Sequence, residues 1–472
     1  MSTLSLFFLI LFSVFSFGIT AFNITLIQHS HVKDTWYGSV TIGMQALDDP
    51  IMMVSTWVYP PVEIHAFRPN QPSKNWKFNT TTDFKYQTLL VSSTGVITNS
   101  TSIVDSIIYW LQKPEGPAGN CSLIGFNSGI APSVPNPSLP IGSAGKTWQT
   151  YLPVVCMNVN SWTPFTTFDL SQSLTTAAGW VMDNDGNYYI FVLDAQTGAL
   201  KWMKEFPAPN DQGFVSFGVV VSDSGNWILY DDGVEGLSDH FYYIYSAADG
   251  TLRDVIPSNE HCQVSISYDG DYVFTTGGNG NLGITVHQYN EQAGAYVEMG
   301  EGIVIPPVDT DAYYFFQGTF AIDKVNNRTL VAGIWASTTL DGNGVAAVFD
   351  IAQLSKGPIA QYNFTGVENN DIAFDGAVIK CTNTVCVIGL QCQVVNGTKP
   401  TVIVLDVSGN PGDMTPPIFT YVTPGSMNSV AIVEGKDKVT NKDVYYFAAG
   451  GCDTYGVCVA PGADAYIWEL SN

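Results

Sequence analysis

Residues 215–257 read VSFGVVVSDSGNWILYDDGVEGLSDHFYYIYSAADGTLRDVIP, and residues 262–300 read CQVSISYDGDYVFTTGGNGNLGITVHQYNEQAGAYVEMG. Each segment contains four short runs rich in Val, Ile, Tyr and Phe, which favour β-strands. A tight turn, a longer loop and a second tight turn separate the runs, and Asp, Gly, Asn and Ser in these turns favour turn conformations. Each segment therefore predicts one four-stranded antiparallel sheet.

The same pattern recurs along the chain at intervals typical of blade repeats. Candidate units begin near Gly38, Tyr86, Tyr151, Val215, Cys262, Phe315, Phe374 and Met427. In each unit one run is taken as the third strand, for example SIIYWLQ at residues 106–112 and YYIFVLD at residues 188–194. Sheets that pack on both faces need no strict alternation of apolar and polar residues.

These units predict an all-β fold, a β-propeller of four-stranded antiparallel blades over residues 22–472. Eight blades are favoured, and seven stay possible because the units between residues 86 and 206 are irregular. The run FNITLIQ at residues 22–28 is expected to pair into the last blade as its outer strand and close the ring. The alternative is a row of three or four β-sandwich domains.

Residues 4–22 form an apolar run typical of a secretory signal peptide, and we expect removal of residues 1–21. An uncleaved membrane anchor is the alternative, because the run is nearly long enough to span a bilayer. The expected location is extracellular, or the lumen of the secretory or endolysosomal pathway. With 18 basic and 42 acidic residues the net charge is −24, so we exclude nucleic acid and anionic membrane surfaces as partners.

Eight cysteines follow the apolar run, and an even number in an oxidising compartment predicts disulfide bonds. Three pairings are expected: Cys452–Cys458, Cys381–Cys386 and Cys121–Cys156, which leave Cys262 and Cys392 to each other. N-glycosylation is predicted at the seven Asn-x-Ser/Thr sequons. These are Asn23, Asn79, Asn99, Asn120, Asn327, Asn363 and Asn396.

One motif resembles a known family. Residues 193–202 (LDAQTGALKW) resemble the repeat of pyrroloquinoline-quinone-type propellers, in which a turn A/L-D-A-x-T-G precedes a strand with Trp. In this motif Asp194 and Thr197 can cap the turn, Gly198 can adopt a positive φ, and Trp202 can fill the space between blades. Residues 245–252 (YSAADGTL) look like a degenerate copy, and Asp350 and Asp406 hold the corresponding Asp in their units. The turns around Asp223 and Asp269 resemble those of WD-repeat blades.

The resemblance concerns the fold alone. In quinoprotein dehydrogenases of this superfamily the cofactor lies on the ring axis with calcium, often beside a disulfide between adjacent cysteines. This sequence has no adjacent cysteine pair, and no calcium ligand can be assigned by motif. We therefore expect no cofactor and no bound metal. The turn at residues 183–187 (DNDGN) is read as a hairpin turn because its glycine comes too early for a calcium loop.

Loops that join second to third strands, and loops between blades, lie on one face of a propeller. Several of these loops are acidic or aromatic here, so we expect a ligand site at Asp231, Asp232, Glu235, Asp239, His240, Asp309, Asp311 and Trp335. Carboxylates and aromatic rings on one face suit a sugar, a cation or a basic peptide. A solvated acidic rim without a site is the alternative.

The predicted function is a secreted glycoprotein binding module for an extracellular carbohydrate or protein, rather than an enzyme. A quinoprotein-like oxidoreductase and a glycan-processing hydrolase are the enzymatic alternatives. A binding module needs no charged cluster on the ring axis, whereas an oxidoreductase needs calcium ligands and an aromatic floor there. A hydrolase needs two carboxylates within about 10 Å of each other in a cleft.

Overall fold

The strands of the described residues form seven antiparallel sheets of four strands and one of five, which confirms the predicted β-propeller and favours the higher blade number. The computed structural model describes residues 22–33, 36–57, 63–79, 87–90, 97–98, 102–103, 107–112, 120–127, 146–155, 168–171, 173, 175–183, 185, 187–206, 219–231, 240–258, 265–276, 283–299, 303–304, 313–323, 328–337, 344–364, 377–390, 400–412, 415–425, 427–452 and 462–471. Within these ranges the only helical segments are two 3₁₀ turns, Pro72–Lys74 and Ile351–Lys356. No helix in the described part of the chain has the length and apolar character needed to cross a bilayer.

The first four blades follow chain order. Blade 1 consists of Trp36–Ala46, Asp49–Trp57, Glu63–Phe67 and Trp76–Asn79. Blade 2 consists of Gln87–Leu90, Ile107–Gln112, Asn120–Asn127 and Lys146–Val155. Blade 3 consists of Phe168–Leu170, Thr176–Met182, Tyr188–Asp194 and Leu200–Phe206. Blade 4 consists of Val219–Val221, Trp227–Asp231, His240–Ser246 and Leu252–Ser258.

The last four blades complete the circle. Blade 5 consists of Ser265–Ile266, Tyr272–Thr276, Gly283–Asn290 and Ala295–Glu298, with the short strand Ile303–Val304 also on its third strand. Blade 6 consists of Tyr313–Asp323, Arg328–Ser337, Gly344–Asp350 and Ala360–Phe364. Blade 7 consists of Ala377–Cys381, Val385–Leu390, Val402–Asp406 and Phe419–Tyr421. Blade 8 consists of Met427–Lys436, Asp443–Cys452, Gly462–Ser471 and Asn23–Lys33.

Blade 2 departs from the strand order expected from the sequence. The run at residues 106–112, taken as a third strand, contains the second strand of blade 2, Ile107–Gln112. Tyr151, taken as the start of a unit, lies in the fourth strand of blade 2, and blade 3 begins at Phe168. The cause is an inserted two-stranded ladder, Ile97–Thr98 with Ser102–Ile103, which separates the first strand from the second and displaces the spacing.

The hydrophobic core is divided among the spaces between blades. In the second strand of blade 7, every residue is buried. Val385 and Val387 pack against blade 8, whereas Cys386 and Ile388 pack against blade 6. Successive side chains of a strand point to opposite faces of its sheet, so each blade contributes to two cores. This explains why the sequence shows apolar runs rather than alternation.

The first strands of the blades form the inner ring, because contacts between first strands connect blades 3 to 8 in order and then blade 1. Asn23–Lys33 lies antiparallel to the third strand of blade 8, from Asn23 opposite Ser471 to Lys33 opposite Gly462. The amino-terminal strand therefore supplies the outer strand of the last blade, as predicted. Ile24 packs in the core between blades 7 and 8, and Ile27 packs in the core between blades 8 and 1.

The motif at residues 193–202 has the geometry that its residues predict. Asp194 Oδ1 accepts hydrogen bonds from the backbone N and the hydroxyl of Thr197, both at 2.8 Å, and Gly198 has φ = 71°. Trp202 is buried between blades 3 and 4, and its Nε1 donates to the Ala247 carbonyl at 3.1 Å. Trp148 of blade 2 makes the same hydrogen bond, at 3.1 Å, to a carbonyl of blade 3. A repeated tryptophan contact thus joins neighbouring blades.

One predicted disulfide is present, Cys381–Cys386, which links the directly opposed ends of a hairpin in blade 7. The other two pairings stay predictions, because Cys458 and Cys156 lie outside the described residues, as do Cys262 and Cys392. Asn23 and Asn363 are exposed on outer strands, of blades 8 and 6. Asn79 and Asn120 lie on strands of blades 1 and 2, and the remaining sequons, Asn99, Asn327 and Asn396, lie outside the described residues.

Candidate functional site

The residues predicted for the loop face lie largely outside the described part of the chain. Asp231 ends the second strand of blade 4 and His240 begins the third, so both flank the same connection. Trp335 lies in the second strand of blade 6. Asp232, Glu235, Asp239, Asp309 and Asp311 fall outside the described residues. The grouping of these side chains stays a prediction.

A charged cluster that the sequence did not reveal comes from the first strands of three blades, which belong to the inner ring. Its first member, Asp169, is the middle residue of the short first strand of blade 3. Asp169 Oδ2 accepts a hydrogen bond of 2.8 Å from the backbone N of Val221, which belongs to the first strand of blade 4. Burial raises the pKa of Asp169 above its usual range, and this hydrogen bond and the charge of Lys380 only partly oppose the rise.

Asp223, the second member, begins the tight turn after the first strand of blade 4. Ser222 fixes this turn: its backbone N donates to the Trp227 carbonyl at 2.9 Å, and its hydroxyl accepts from the Trp227 N at 3.1 Å. The Asp223 carbonyl accepts a hydrogen bond of 2.9 Å from the Ser173 backbone N of blade 3. These contacts involve the Asp223 backbone and Ser222, and none of them uses the Asp223 carboxyl.

The Asp223 carboxyl has an unusual environment. None of the residues that the structure describes donates a hydrogen bond to it, although Asp223 is half-buried. Burial raises its pKa to about 7, and the negative charge of Asp169 adds to the rise, whereas Lys380 opposes it. The carboxyl is therefore divided between its acid and carboxylate forms near neutral pH.

Lys380, the third member, occupies the end of the first strand of blade 7, beside the disulfide cysteine Cys381. Blade 7 lies three blades from blade 4 and four blades from blade 3. The charge of Lys380 nevertheless lowers the pKa of both Asp169 and Asp223, and Asp169 and Lys380 lie on first strands while Asp223 directly follows one. We call Asp169, Asp223 and Lys380 the axial cluster.

Several hydroxyl groups lie where the turns after the first strands of blades 3 and 4 meet. Ser173 Oγ lies 2.7 Å from Thr175 Oγ1 and donates to the Ser224 carbonyl at 2.9 Å. The backbone of Gly225 approaches these hydroxyls so closely that a Cβ there would lie 2.2 Å from Thr175 Oγ1. Two carboxyls and an ammonium group thus come from the first strands of the inner ring and their turns, with hydroxyls at the turns of blades 3 and 4, and such groups can donate to and accept from a polyhydroxylated ligand.

The sequence pattern gives little indication of the axial cluster. It identifies Asp223 only as a turn residue, and the single signal at Asp169 is one charged residue within an otherwise apolar first strand, Phe168–Leu170.

The turn at residues 183–187 is a hairpin turn between strands of blade 3. Asp183 accepts hydrogen bonds from the backbone N of Asp185 and of Asn187, both at 2.9 Å. Partial burial acts to raise the pKa of Asp183, but these hydrogen bonds lower it overall.

No protein-family model matches this sequence, and no curated protein matches it. Among solved structures, the chain is similar to quinohemoprotein alcohol dehydrogenase from Comamonas testosteroni, with 9% identity, a TM-score of 0.52 and coverage of 94% of this chain and 76% of that chain. BamB from Moraxella catarrhalis is matched at 12% identity and a TM-score of 0.45, over 95% of this chain and 100% of that chain. The Dos1 propeller is matched at 9% identity and a TM-score of 0.48, over 94% of each chain.

At this level of identity the likeness shows the fold alone, and scores below 0.5 add no argument. The similarity to the dehydrogenase agrees with the resemblance of residues 193–202 to pyrroloquinoline-quinone-type repeats. Fold similarity of this kind does not transfer an activity, because the same architecture supports many unrelated sites.

Proposed function

We propose that this chain is a secreted or luminal glycoprotein that binds an extracellular ligand, and that the ligand is a carbohydrate bound at the axial cluster. The observation that supports the proposal is that the charges of Asp169 and Lys380 both influence the pKa of Asp223, while the Ser173 hydroxyl contacts the turn that carries Asp223. Carboxylates accept hydrogen bonds from sugar hydroxyls, and a carboxyl that is half protonated can also donate one. The Asp223 carboxyl, to which none of the described residues donates a hydrogen bond, is the group that a ligand would satisfy.

A protein ligand at the opposite, loop-bearing face is the alternative. The acidic residues predicted there, with Asp231 and His240 at the ends of their strands, suit a basic partner. The two locations are separable, because the axial cluster lies where first strands lead into their tight turns and the predicted loops lie at the other end of the strands.

A glycan array with the purified secreted protein is the first experiment, followed by calorimetric titration of the best glycan. Asp223→Asn, Asp169→Asn and Lys380→Met are expected to weaken glycan binding, whereas Asp185→Asn, an exposed turn residue of blade 3, is expected to leave it unchanged. Binding that survives all three axial substitutions, or that falls only with Asp231→Asn, would reject the axial site. Silence on the array with capture of a basic protein would support the alternative.

One observation favours a second function, glycan hydrolysis. Burial, together with the charge of Asp169, raises the pKa of Asp223 to about 7, so the two carboxyls influence each other. A general acid with a raised pKa beside a second carboxylate is the arrangement that glycosidases use. If the chain is a hydrolase, fluorogenic glycosides should be cleaved with a rate that falls as Asp223 ionises, and Asp223→Asn should abolish cleavage. Binding without turnover would leave the chain a binding module.

The fold likeness to a quinohemoprotein dehydrogenase adds no support for quinone chemistry, because it concerns the architecture and not the site.

A further inference from the structure

The predicted glycosylation sites are distributed unevenly around the ring. Residues 121–326 contain no Asn-x-Ser/Thr sequon in which x is a residue other than Pro, so all seven sequons lie before or after this interval. The sheets of blades 3, 4 and 5 lie within residues 168–304. An N-linked glycan is bulky and covers the surface around its asparagine. We therefore expect the surface of blades 3 to 5 to stay accessible to a large partner.

The same three blades hold most of the negative charge of the chain. Residues 168–304 contain 19 acidic and 3 basic residues, and they therefore carry −16 of the net charge of −24. The three basic residues, Lys201, Lys204 and Arg253, each donate a hydrogen bond to an oxygen of the protein and are only partly exposed. The charge that these blades present to a partner is therefore acidic.

Four exposed acidic residues lie at one end of blades 4 and 5. In an antiparallel sheet of four strands, the turn between the first two strands and the turn between the last two lie at the same end. Asp269 and Asp271 belong to the first of these turns in blade 5, whereas Asp249 and Glu291 belong to the second in blades 4 and 5. All four residues are exposed, so this end of the two blades attracts positive charge.

Two large side chains with apolar surface are exposed at the same end. Leu252 begins the outer strand of blade 4 and is 47% exposed, and Tyr268, in the first turn of blade 5, is 46% exposed. The guanidinium of Arg253, the residue after Leu252, donates to the Gly270 carbonyl at 2.7 Å, and Gly270 lies two residues after Tyr268. The outer strand of blade 4 thus meets the first turn of blade 5 at this contact. We use the name blade 4–5 surface for Asp249, Leu252, Tyr268, Asp269, Asp271 and Glu291.

We propose that the blade 4–5 surface is a docking site for a basic protein segment that combines Lys or Arg with apolar side chains. Carboxylates on one surface steer a basic partner to it and discriminate against acidic ones. Leu252 and Tyr268 supply apolar contact area, and tyrosine is enriched among the residues that anchor protein interfaces. A second copy of this chain fits the surface poorly, because each copy carries a net charge of −24. The docking site lies at the opposite end of the strands from the acidic loops, and it is independent of the carbohydrate site.

The alternative is that the carboxylates of blades 3 to 5 only keep the protein soluble. In that case a basic peptide would respond to the total charge of the protein, and every exposed carboxylate would contribute equally to its binding. A docking site instead predicts that the carboxylates and apolar side chains of the blade 4–5 surface contribute more than exposed carboxylates elsewhere.

Fluorescence anisotropy with a labelled synthetic peptide of alternating Lys and Leu tests the proposal on the glycosylated protein. A peptide of equal length with Glu in place of Lys is the comparison. Wild type is expected to bind the Lys peptide saturably and not the Glu peptide. The double variant Asp269→Lys/Asp271→Lys should weaken binding roughly tenfold, because it replaces two attractive charges by repulsive ones. Leu252→Ser should weaken binding about threefold to tenfold through lost apolar contact.

Asp185→Lys is the matched control, because Asp185 is an exposed carboxylate in the hairpin turn at the other end of blade 3. It should reduce peptide affinity much less than the double variant does. Removal of the glycans with a peptide N-glycosidase should leave the affinity unchanged, because blades 3 to 5 contain no sequon. Circular dichroism establishes that each variant is folded, and Glu291→Lys is the informative variant if the double variant does not fold.

Several outcomes overturn the proposal. These are absence of saturable binding in wild type, equal losses in Asp185→Lys and the double variant, a gain in affinity after deglycosylation, and a loss seen only with Asp231→Lys, which would place the partner at the loop face. Dimerisation of wild type that Leu252→Ser abolishes would mean that a second copy occupies the surface, and it would overturn the basic partner. The glycan array tests the axial cluster with a different probe, so either result can fail without the other.

Discussion

Replacement of Asp223 by Asn gives a pH-dependent stability change whose size follows from the structure. The pKa of Asp223 rises from its ordinary value of 3.8 to about 7 because burial and the Asp169 charge disfavour the carboxylate. The folded state therefore binds this proton more tightly than the unfolded chain. The stability that the protonated carboxyl contributes is fully present below pH 3.8 and is lost as the pH rises through about 7.

The size of the effect is set by the pKa difference. At about 1.4 kcal/mol per pKa unit, ionisation of Asp223 costs the folded state about 4 kcal/mol well above pH 7, as an upper value. Solvent within the ring screens part of this cost, so we expect about 1 to 4 kcal/mol. Asn imitates the protonated carboxyl and cannot ionise, so Asp223→Asn should be stabilising at pH 8.5 and nearly neutral at pH 4.

Thermal unfolding measured across pH tests this reasoning. A folded domain of about 450 residues has an unfolding entropy near 0.9 kcal/mol/K, so the expected gain in melting temperature at pH 8.5 is roughly 1 to 4 °C. Asp185→Asn, with its exposed side chain, is the control and should give no pH-dependent difference. If Asp223→Asn changes the melting temperature equally at pH 4 and pH 8.5, or more at pH 4, the account of the axial cluster is refuted.

Three further predictions concern the packing of the blades. Trp202→Ala should destabilise by about 3 to 5 kcal/mol in denaturant unfolding, because it empties the space between blades 3 and 4. Gly250→Ala should lower the free energy of unfolding more than Gly294→Ala does. Both glycines have positive φ, but an added Cβ at Gly250 would lie 2.9 Å from the Trp202 ring, whereas one at Gly294 would meet open space. Equal losses in the two variants would contradict this reasoning. Arg68→Met should lower the free energy of unfolding by about 3 to 5 kcal/mol, because it leaves the Asp49 carboxylate buried without its ion-pair partner. Adding Asp49→Asn to the Arg68→Met variant should recover part of that free energy.

Local sequence was sufficient to predict the fold wherever successive blade repeats kept their regular spacing along the chain. Residues 215–300 contain two complete units, and their turns and strands were predicted because β-branched residues, aromatic residues and Asp-Gly turns act locally. The closing strand was predicted because the last unit had only three strands. The prediction failed in blade 2, where the ladder of Ile97–Thr98 and Ser102–Ile103 displaces the strands that follow it along the chain. An insertion of that kind leaves no signal in the strand pattern itself.

The candidate site was less accessible to sequence reasoning. Asp169, Asp223 and Lys380 come from blades 3, 4 and 7, and no local pattern connects residues that meet only after the ring has closed. Charged groups acquire their character from burial and neighbours, and both depend on the three-dimensional arrangement.

The closing strand has a consequence for how this molecule is made. Asn23–Lys33 leaves the ribosome early, yet its partner Gly462–Ser471 is synthesised last of the eight blades. Until blade 8 is synthesised, the early segment lacks its hydrogen-bonding neighbour, so closure joins residues as far as 448 positions apart in the sequence. Contacts of such long sequence separation form slowly and leave unpaired strand edges exposed meanwhile. Chaperones that shield those edges until synthesis is finished would therefore favour productive maturation of this protein.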